Sequence, residues 1–210
     1  MPDNGHPRPA DGRLPLWLKL AFTAWILGWA PTFAVLLGTQ NYFWLCNLAN
    51  FLILAGLWSE SRRLISMQLL SVLLVGSLWA LDVGTAWLTG VHPIGGTEYM
   101  FNAEQPLLTR LLSLYHLVLP VVAGLAVRRL GYDRGALAWQ TGLTWLVIPA
   151  TWLFTDPERN INWVHGPFGQ PQEMLDPLFY LVMLMLLWPL VIYLPTHLSM
   201  CWLQDRGWLK

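Results

Sequence analysis

Six apolar stretches dominate the chain, at about residues 14–38, 42–58, 64–90, 106–127, 135–154 and 177–202. A helix needs roughly 20 residues at ~1.5 Å each to cross a ~30 Å hydrocarbon core, and each stretch meets or nearly meets that length. The pattern predicts an all-α, polytopic membrane bundle of six transmembrane helices. Backbone polar groups in lipid must be satisfied within each segment, which leaves helices as the only solution for runs of this kind.

Composition agrees where it bears on class. Hydrophobic residues make up 55% of the 210 and charged residues 11%, and mean hydropathy is +0.46, whereas soluble domains carry about one quarter charged residues. A formal net charge of +0 without a basic run excludes nucleic acid as an expected partner. The helices and their connections consume residues 14–204, leaving 1–13 as a predicted disordered tail and 205–210 as a second short tail. No soluble catalytic domain remains, so chemistry belongs in or beside the membrane, with membrane lipids as the expected partners. The first apolar run is too long for the core of a secretory signal and is read as a retained anchor.

Cations set the expected orientation. Arg8, Arg13, Lys19, Arg62, Arg63, Arg128, Arg129, Arg134, Arg206 and Lys210 fall on one side of a six-span topology, and Arg110 and Arg159 on the other. Ten against two is the asymmetry of a cytoplasmic face, so both termini are expected there, in a bacterial inner membrane. The outer side carries the longer connections, 92–105 and 155–176, and the second is long enough to fold back as a lid. Seven of the 14 tryptophans, Trp17, Trp44, Trp58, Trp87, Trp163, Trp202 and Trp208, fall near helix ends and read as an interfacial belt. Trp79 lies well inside its span.

Ionisable groups in apolar spans cost on the order of 3 kcal/mol to insert and are therefore the first functional candidates. Two are deep, Asp82 and His116. Counting from helix ends, Asp82 lies roughly 12 Å, His116 roughly 15 Å and Cys46 roughly 6 Å below the outer boundary. Helical spacing aligns Cys46, Asn47 and Asn50 on the second helix, Gln68, Ser71, Trp79 and Asp82 on the third, and Thr109, Ser113 and His116 on the fourth. Three polar faces at similar depth imply one shared cavity.

A thiol, an imidazole and a carboxylate are the parts of a covalent acyl-transfer site, with Asn amides as donors to an oxyanion. Cys46, His116 and Asp82 are the catalytic candidates. Asn47, Asn50, Trp79, Ser113, Asn162 and His165 are the candidates for contacting substrate. No metal or cofactor is called for, since neither Cys46 nor Cys201 sits in a zinc spacing. Cys201, at the inner end of the last helix, reads as an apolar filler, with palmitoylation as the lesser alternative. Three functions stay open on the residues alone: a lipid acyltransferase or acyl hydrolase, a small-solute or proton-coupled transporter using Asp82 and His116, and a noncatalytic membrane assembly factor.

The run Trp44-Leu45-Cys46-Asn47-Leu48-Ala49, a lone His116 flanked by Ser113, the Asp156–Asn162 segment and the Leu175-Asp176-Pro177-Leu178-Phe179-Tyr180 stretch resemble the bacterial YwaF family of integral membrane proteins. That family has a human relative, transmembrane protein 164, and more distantly resembles the androgen-induced hydrolases of fatty-acid esters. The resemblance implies an intramembrane nucleophile and a histidine from a later helix acting on acyl lipids, roles that fall on Cys46 and His116. Asp82 matches no motif of the family.

Overall fold

The computed structural model describes residues 13–209, and every regular element among them is helical. The expected N-terminal tail, apart from Arg13, and Lys210 of the C-terminal tail lie outside the described residues. Helix α1 spans Leu16–Leu37 and stops at Gly38, whose φ of 80° favours glycine. Helix α2, Leu45–Ser59, turns through Glu60 into α3, Arg62–Thr89, whose first turn is capped by the Ser61 hydroxyl accepting from Leu64 N. Then follow α4, Leu107–Leu112, α5, Tyr115–Leu130, and α6, Ala136–Phe154. The last apolar stretch is α7, Pro177–Leu187, a π-helical turn Trp188–Tyr193 that carries Pro189, and α8, Leu194–Asp205.

Four of these segments are long and apolar enough to cross a membrane: Leu16–Leu37, Arg62–Thr89, Leu107–Leu130 and Pro177–Asp205. The two other predicted spans are helical but fall outside that set. Helix α2 has 15 residues, about 22 Å of rise. Helix α6 has 19 residues and no charge, but Trp139, Trp145, Trp152, Gln140 and three threonines dilute its apolar character.

Helix α3 is the axis of the bundle. More than half of its most apolar window, 56%, is buried, against 22% for α1, so α3 is surrounded by protein while most of α1 is left uncovered. It packs chiefly on α5, then on α2 and α6. Small residues at these crossings, Ala49, Ala123 and Ala126, are fully buried and let backbones approach, as membrane interfaces require where water supplies no hydrophobic drive.

The closest approach explains a feature absent from the sequence reading, which expected one helix over 106–127. That span breaks between α4 and α5 at Ser113 and Leu114. Pro120 has no N–H to offer the carbonyl of His116 four residues earlier, and its ring crowds that carbonyl. The chain answers with tighter bonds one turn upstream, from His116 N to Ser113 O and from Leu117 N to Leu114 O. Gly76 of α3 faces the freed carbonyl: a Cβ there would meet His116 O at 2.5 Å and Pro120 Cγ at 2.7 Å. Gly76→Ala is expected to cost about 1–3 kcal/mol of stability by overpacking and to displace His116. Thermal unfolding of the variant in detergent, beside Gly84→Ala, whose added Cβ meets nothing, measures this.

The opposite end of the bundle is tied by charge. Lys19 Nζ lies 2.6 Å from Glu60 Oε1, which also accepts from Leu14 N at 3.2 Å. Arg63 pairs with Asp133, Arg134 with Asp205, and Arg62 donates to the Tyr132 carbonyl. The Lys19 ammonium holds the Glu60 carboxyl below its ordinary range. A depressed native pKa adds stability above the unfolded value of about 4.3, and that stability is lost as pH falls through the native value. The Tm difference between wild type and Glu60→Gln is therefore expected to be present at pH 7 and to vanish on acidification, at a scale of about 1 kcal/mol for a single half-buried pair.

Candidate functional site

The site begins at the N-terminus of α2, where Trp44 supplies no side-chain cap. The first helical N–H, of Leu45, is satisfied from 117 residues away: Asn162 Oδ1 accepts it at 3.0 Å. The Asn162 amide donates in turn to Phe43 O at 2.7 Å and Thr151 Oγ1 at 3.1 Å. Asn162 and its neighbour Asn160 both adopt left-handed φ, 53° and 42°, which asparagine tolerates better than most residues. Asn162, expected to contact substrate, is thus a buried clamp that fixes where α2 starts. The segment 155–176 around it is folded back onto the bundle, pinned also by Asp156 N on Gln40 Oε1 and by Tyr180 OH on Trp163 O.

Cys46 is the second residue of the helix so fixed. Its sulfur lies 3.2 Å from the hydroxyl of Tyr115, and the same hydroxyl makes a close hydrogen bond to Asn47 Oδ1. An amide oxygen only accepts, so the phenol proton goes to Asn47 and the thiol is left to donate S–H to the phenol oxygen. The Tyr115 ring stacks on His116 with centroids 4.1 Å apart and planes at 26°. Trp79 also stacks on the imidazole, at 5.1 Å and 16°. His116 Nδ1 sits 2.8 Å from Ser113 O; because a carbonyl accepts only, Nδ1 carries the proton and Nε2 the lone pair. The helix break that Pro120 causes therefore also aims the imidazole.

Around this row lie the Trp79 indole N–H, donating to Tyr99 OH at 3.1 Å, and Ser113 Oγ, donating to Thr109 O at 3.0 Å. Burial pushes the Tyr99 phenol above its ordinary pKa, opposed by its hydrogen bonds to Ser113 and Trp79. Cys46, Trp79, Ser113 and His116 come together as the sequence spacing implied. Tyr115 and Tyr99 were missed. Tyr115 adjoins His116 at the start of α5, and helical spacing, which pairs residues three or four apart, does not pair neighbours.

Three expectations need correction. Asp82 does not orient His116. Its carboxylate accepts from Ile94 N at 2.7 Å, Gly95 N at 3.0 Å, the Thr97 hydroxyl and His92 Nδ1 at 2.9 Å, so its partners are in the loop above α3. Second, the Asn amides are anchored, each with one of its two N–H groups committed to backbone. Asn47 Nδ2 donates to Asn41 O at 2.7 Å, while Asn50 Nδ2 bonds Cys46 O at 3.3 Å and its Oδ1 accepts from Trp25 Nε1. Third, the polar faces meet as a hydrogen-bonded cluster. Grooves lie elsewhere, about 290 Å³ beside Pro31 and Val35 and about 560 Å³ between Met67 and the Trp139–Leu143 face of α6.

His165 sits in the folded-back segment with its ring 6.5 Å from that of Trp152 and its Nε2 buried without a partner. Burial lowers its pKa, which keeps it neutral at pH 7. Between Cys46 and His116 there is no direct hydrogen bond among the described residues; the phenol of Tyr115 joins them. Comparison of the chain with protein-family models, with curated proteins and with solved structures gives no match.

Proposed function

We propose that the chain is a six-span membrane protein, both termini cytoplasmic, that transfers or hydrolyses acyl groups of membrane lipids from the outer half of the bilayer. Cys46 is the nucleophile and His116 the base. The observation that carries this reading is the contiguous row of thiol, phenol and imidazole, with Nε2 of His116 held as the unprotonated nitrogen. The thiolate attacks the acyl carbonyl, the ester C–O bond breaks, and the lipid alcohol leaves with the proton that His116 took from sulfur. Water or a second alcohol then attacks the thioester with His116 as base. As sulfur becomes anionic, the Tyr115 proton swings from Asn47 to it. Asp82 has no part in this mechanism. The ten-to-two distribution of cations supports the orientation, and the YwaF-like run around Cys46 agrees with the roles.

One observation favours a second reading. Cys46 and His116 are separated by a phenol, and Asn47 and Asn50 are each held by helix or loop backbone, as in a polar core that joins α2, α3 and α5 without chemistry. A transporter loses its relay, since Asp82 bonds the loop instead of His116. The test is covalent capture. Purified protein is incubated with phospholipid bearing an alkyne-tagged acyl chain, and label that neutral hydroxylamine removes is scored in wild type and Cys46→Ala. Thioester label lost with Cys46 supports acyl transfer; wild-type label in the variant leaves the structural reading.

A further inference from the structure

A second thiol sits at the other end of the bundle, and it is not the isolated apolar filler that its sequence context suggested. Cys201 Sγ lies 3.6 Å from His197 Nε2, one turn earlier on α8. His197 Nδ1 is 2.8 Å from the hydroxyl of Tyr132. Tyr132 is fully buried, and its carbonyl accepts from both Arg62 and Gln204, so the ring that holds the imidazole is itself held. A nucleophile, a base within hydrogen-bond reach and a third group orienting the base form the arrangement that activates a cysteine. Beside the thiol on the same helix, Leu198 and Trp202 are 59% and 48% exposed and present apolar surface outward.

We propose that Cys201 is a self-acylation site, with His197 as its base and Tyr132 as a positioning residue, and that its substrate is a long-chain acyl thioester. The bond from Cys201 sulfur to the acyl carbon forms and the donor's carbon–sulfur bond breaks. His197 accepts the thiol proton and returns it to the leaving thiolate, so the products are S-acyl Cys201 and a free thiol. No oxidant or reductant is needed. The acyl chain lies against Leu198 and Trp202, where lipid already covers the helix. Acylation there adds a tail at the end of the bundle opposite Cys46, independent of what Cys46 does.

The experiment uses the full chain in detergent, which opens both ends to the donor whatever the orientation, in a Cys46→Ala background that leaves Cys201 as the sole thiol. Alkyne-tagged palmitoyl-CoA is the probe, and hydroxylamine-sensitive label is followed over time. Label is expected in this background and absent after Cys201→Ser. His197→Gln is expected to slow it by on the order of 100-fold, while maleimide still alkylates Cys201, which reports an intact, accessible thiol. Tyr132→Phe keeps the ring and is expected to shift the pH profile of the rate. No label in the Cys46→Ala background, label surviving Cys201→Ser, or an unchanged rate in His197→Gln each overturns the proposal. An unchanged pH profile in Tyr132→Phe removes the positioning role, and the proposal as stated with it.

Discussion

Asp82→Leu is expected to lower the unfolding free energy by about 3–5 kcal/mol, the scale for removing one partner from a buried charged cluster. The carboxylate is fully buried and serves four donors: two successive backbone N–H groups, a hydroxyl and an imidazole. Leucine leaves the two N–H groups and the Thr97 hydroxyl without this acceptor, while His92 Nδ1 keeps only Thr97 Oγ1, 2.9 Å away. Asp82→Asn keeps one oxygen for Ile94 and Gly95 and offers an amide to the Thr97 oxygen and to the His92 ring, so about 1 kcal/mol is expected. Thermal unfolding in detergent separates the two. Chymotrypsin supplies a local readout, since releasing the loop exposes Tyr99 and Phe101 to cleavage in Asp82→Leu first. Equal stability and equal cleavage of Asp82→Leu and wild type would show that the loop is not held by this carboxylate. Loss of lipid turnover in Asp82→Asn with the loop intact would return the residue to the chemistry.

The error over Asp82 shows what a one-dimensional reading can see. Period and depth are properties of single helices, and they placed Cys46, Trp79, Ser113 and His116 on faces that do meet. Depth also marked Asp82 as a buried charge in need of partners, which it is. The choice of partner was decided by a loop, and loops have no period. Residues 92–97 fold back onto α3, with the N–H groups of Ile94 and Gly95 on one Asp82 oxygen and the chain leaving through Gly95 and Gly96 at φ of 90° and 83°. The Gly-Gly pair was legible as a turn; its direction was not. Asn162 escaped for a similar reason. An asparagine that caps a helix 117 residues away leaves no local trace, whereas Ser61, capping its own helix, follows the ordinary rule. The break at Ser113 was half legible: Pro120 announces a disturbed helix, but the glycine that makes room for its ring and for the His116 carbonyl, Gly76, belongs to another helix.

The variant series with the largest expected change in activity starts from Cys46→Ala. Turnover of acyl lipid is expected to fall to background with little change in Tm, since alanine keeps the helix and the thiol's side-chain hydrogen bond is a single one, to Tyr115. His116→Gln removes the Nε2 base and is expected to cost on the order of 10²–10⁴ in rate; glutamine can still donate to the Ser113 carbonyl, which keeps the break in place. Tyr115→Phe retains the stack on His116 and loses the hydroxyl that faces sulfur and Asn47. About a tenfold loss is expected there, equivalent to about 1.4 kcal/mol of transition-state stabilisation. The order of the three losses is the discriminating result, because a structural core would follow stability instead: Tyr115→Phe, which strips a buried bond from Asn47, would then be the most disruptive and Cys46→Ala nearly silent. Full turnover in Cys46→Ala together with loss in His116→Gln would leave the imidazole acting directly on water, with no covalent intermediate at sulfur.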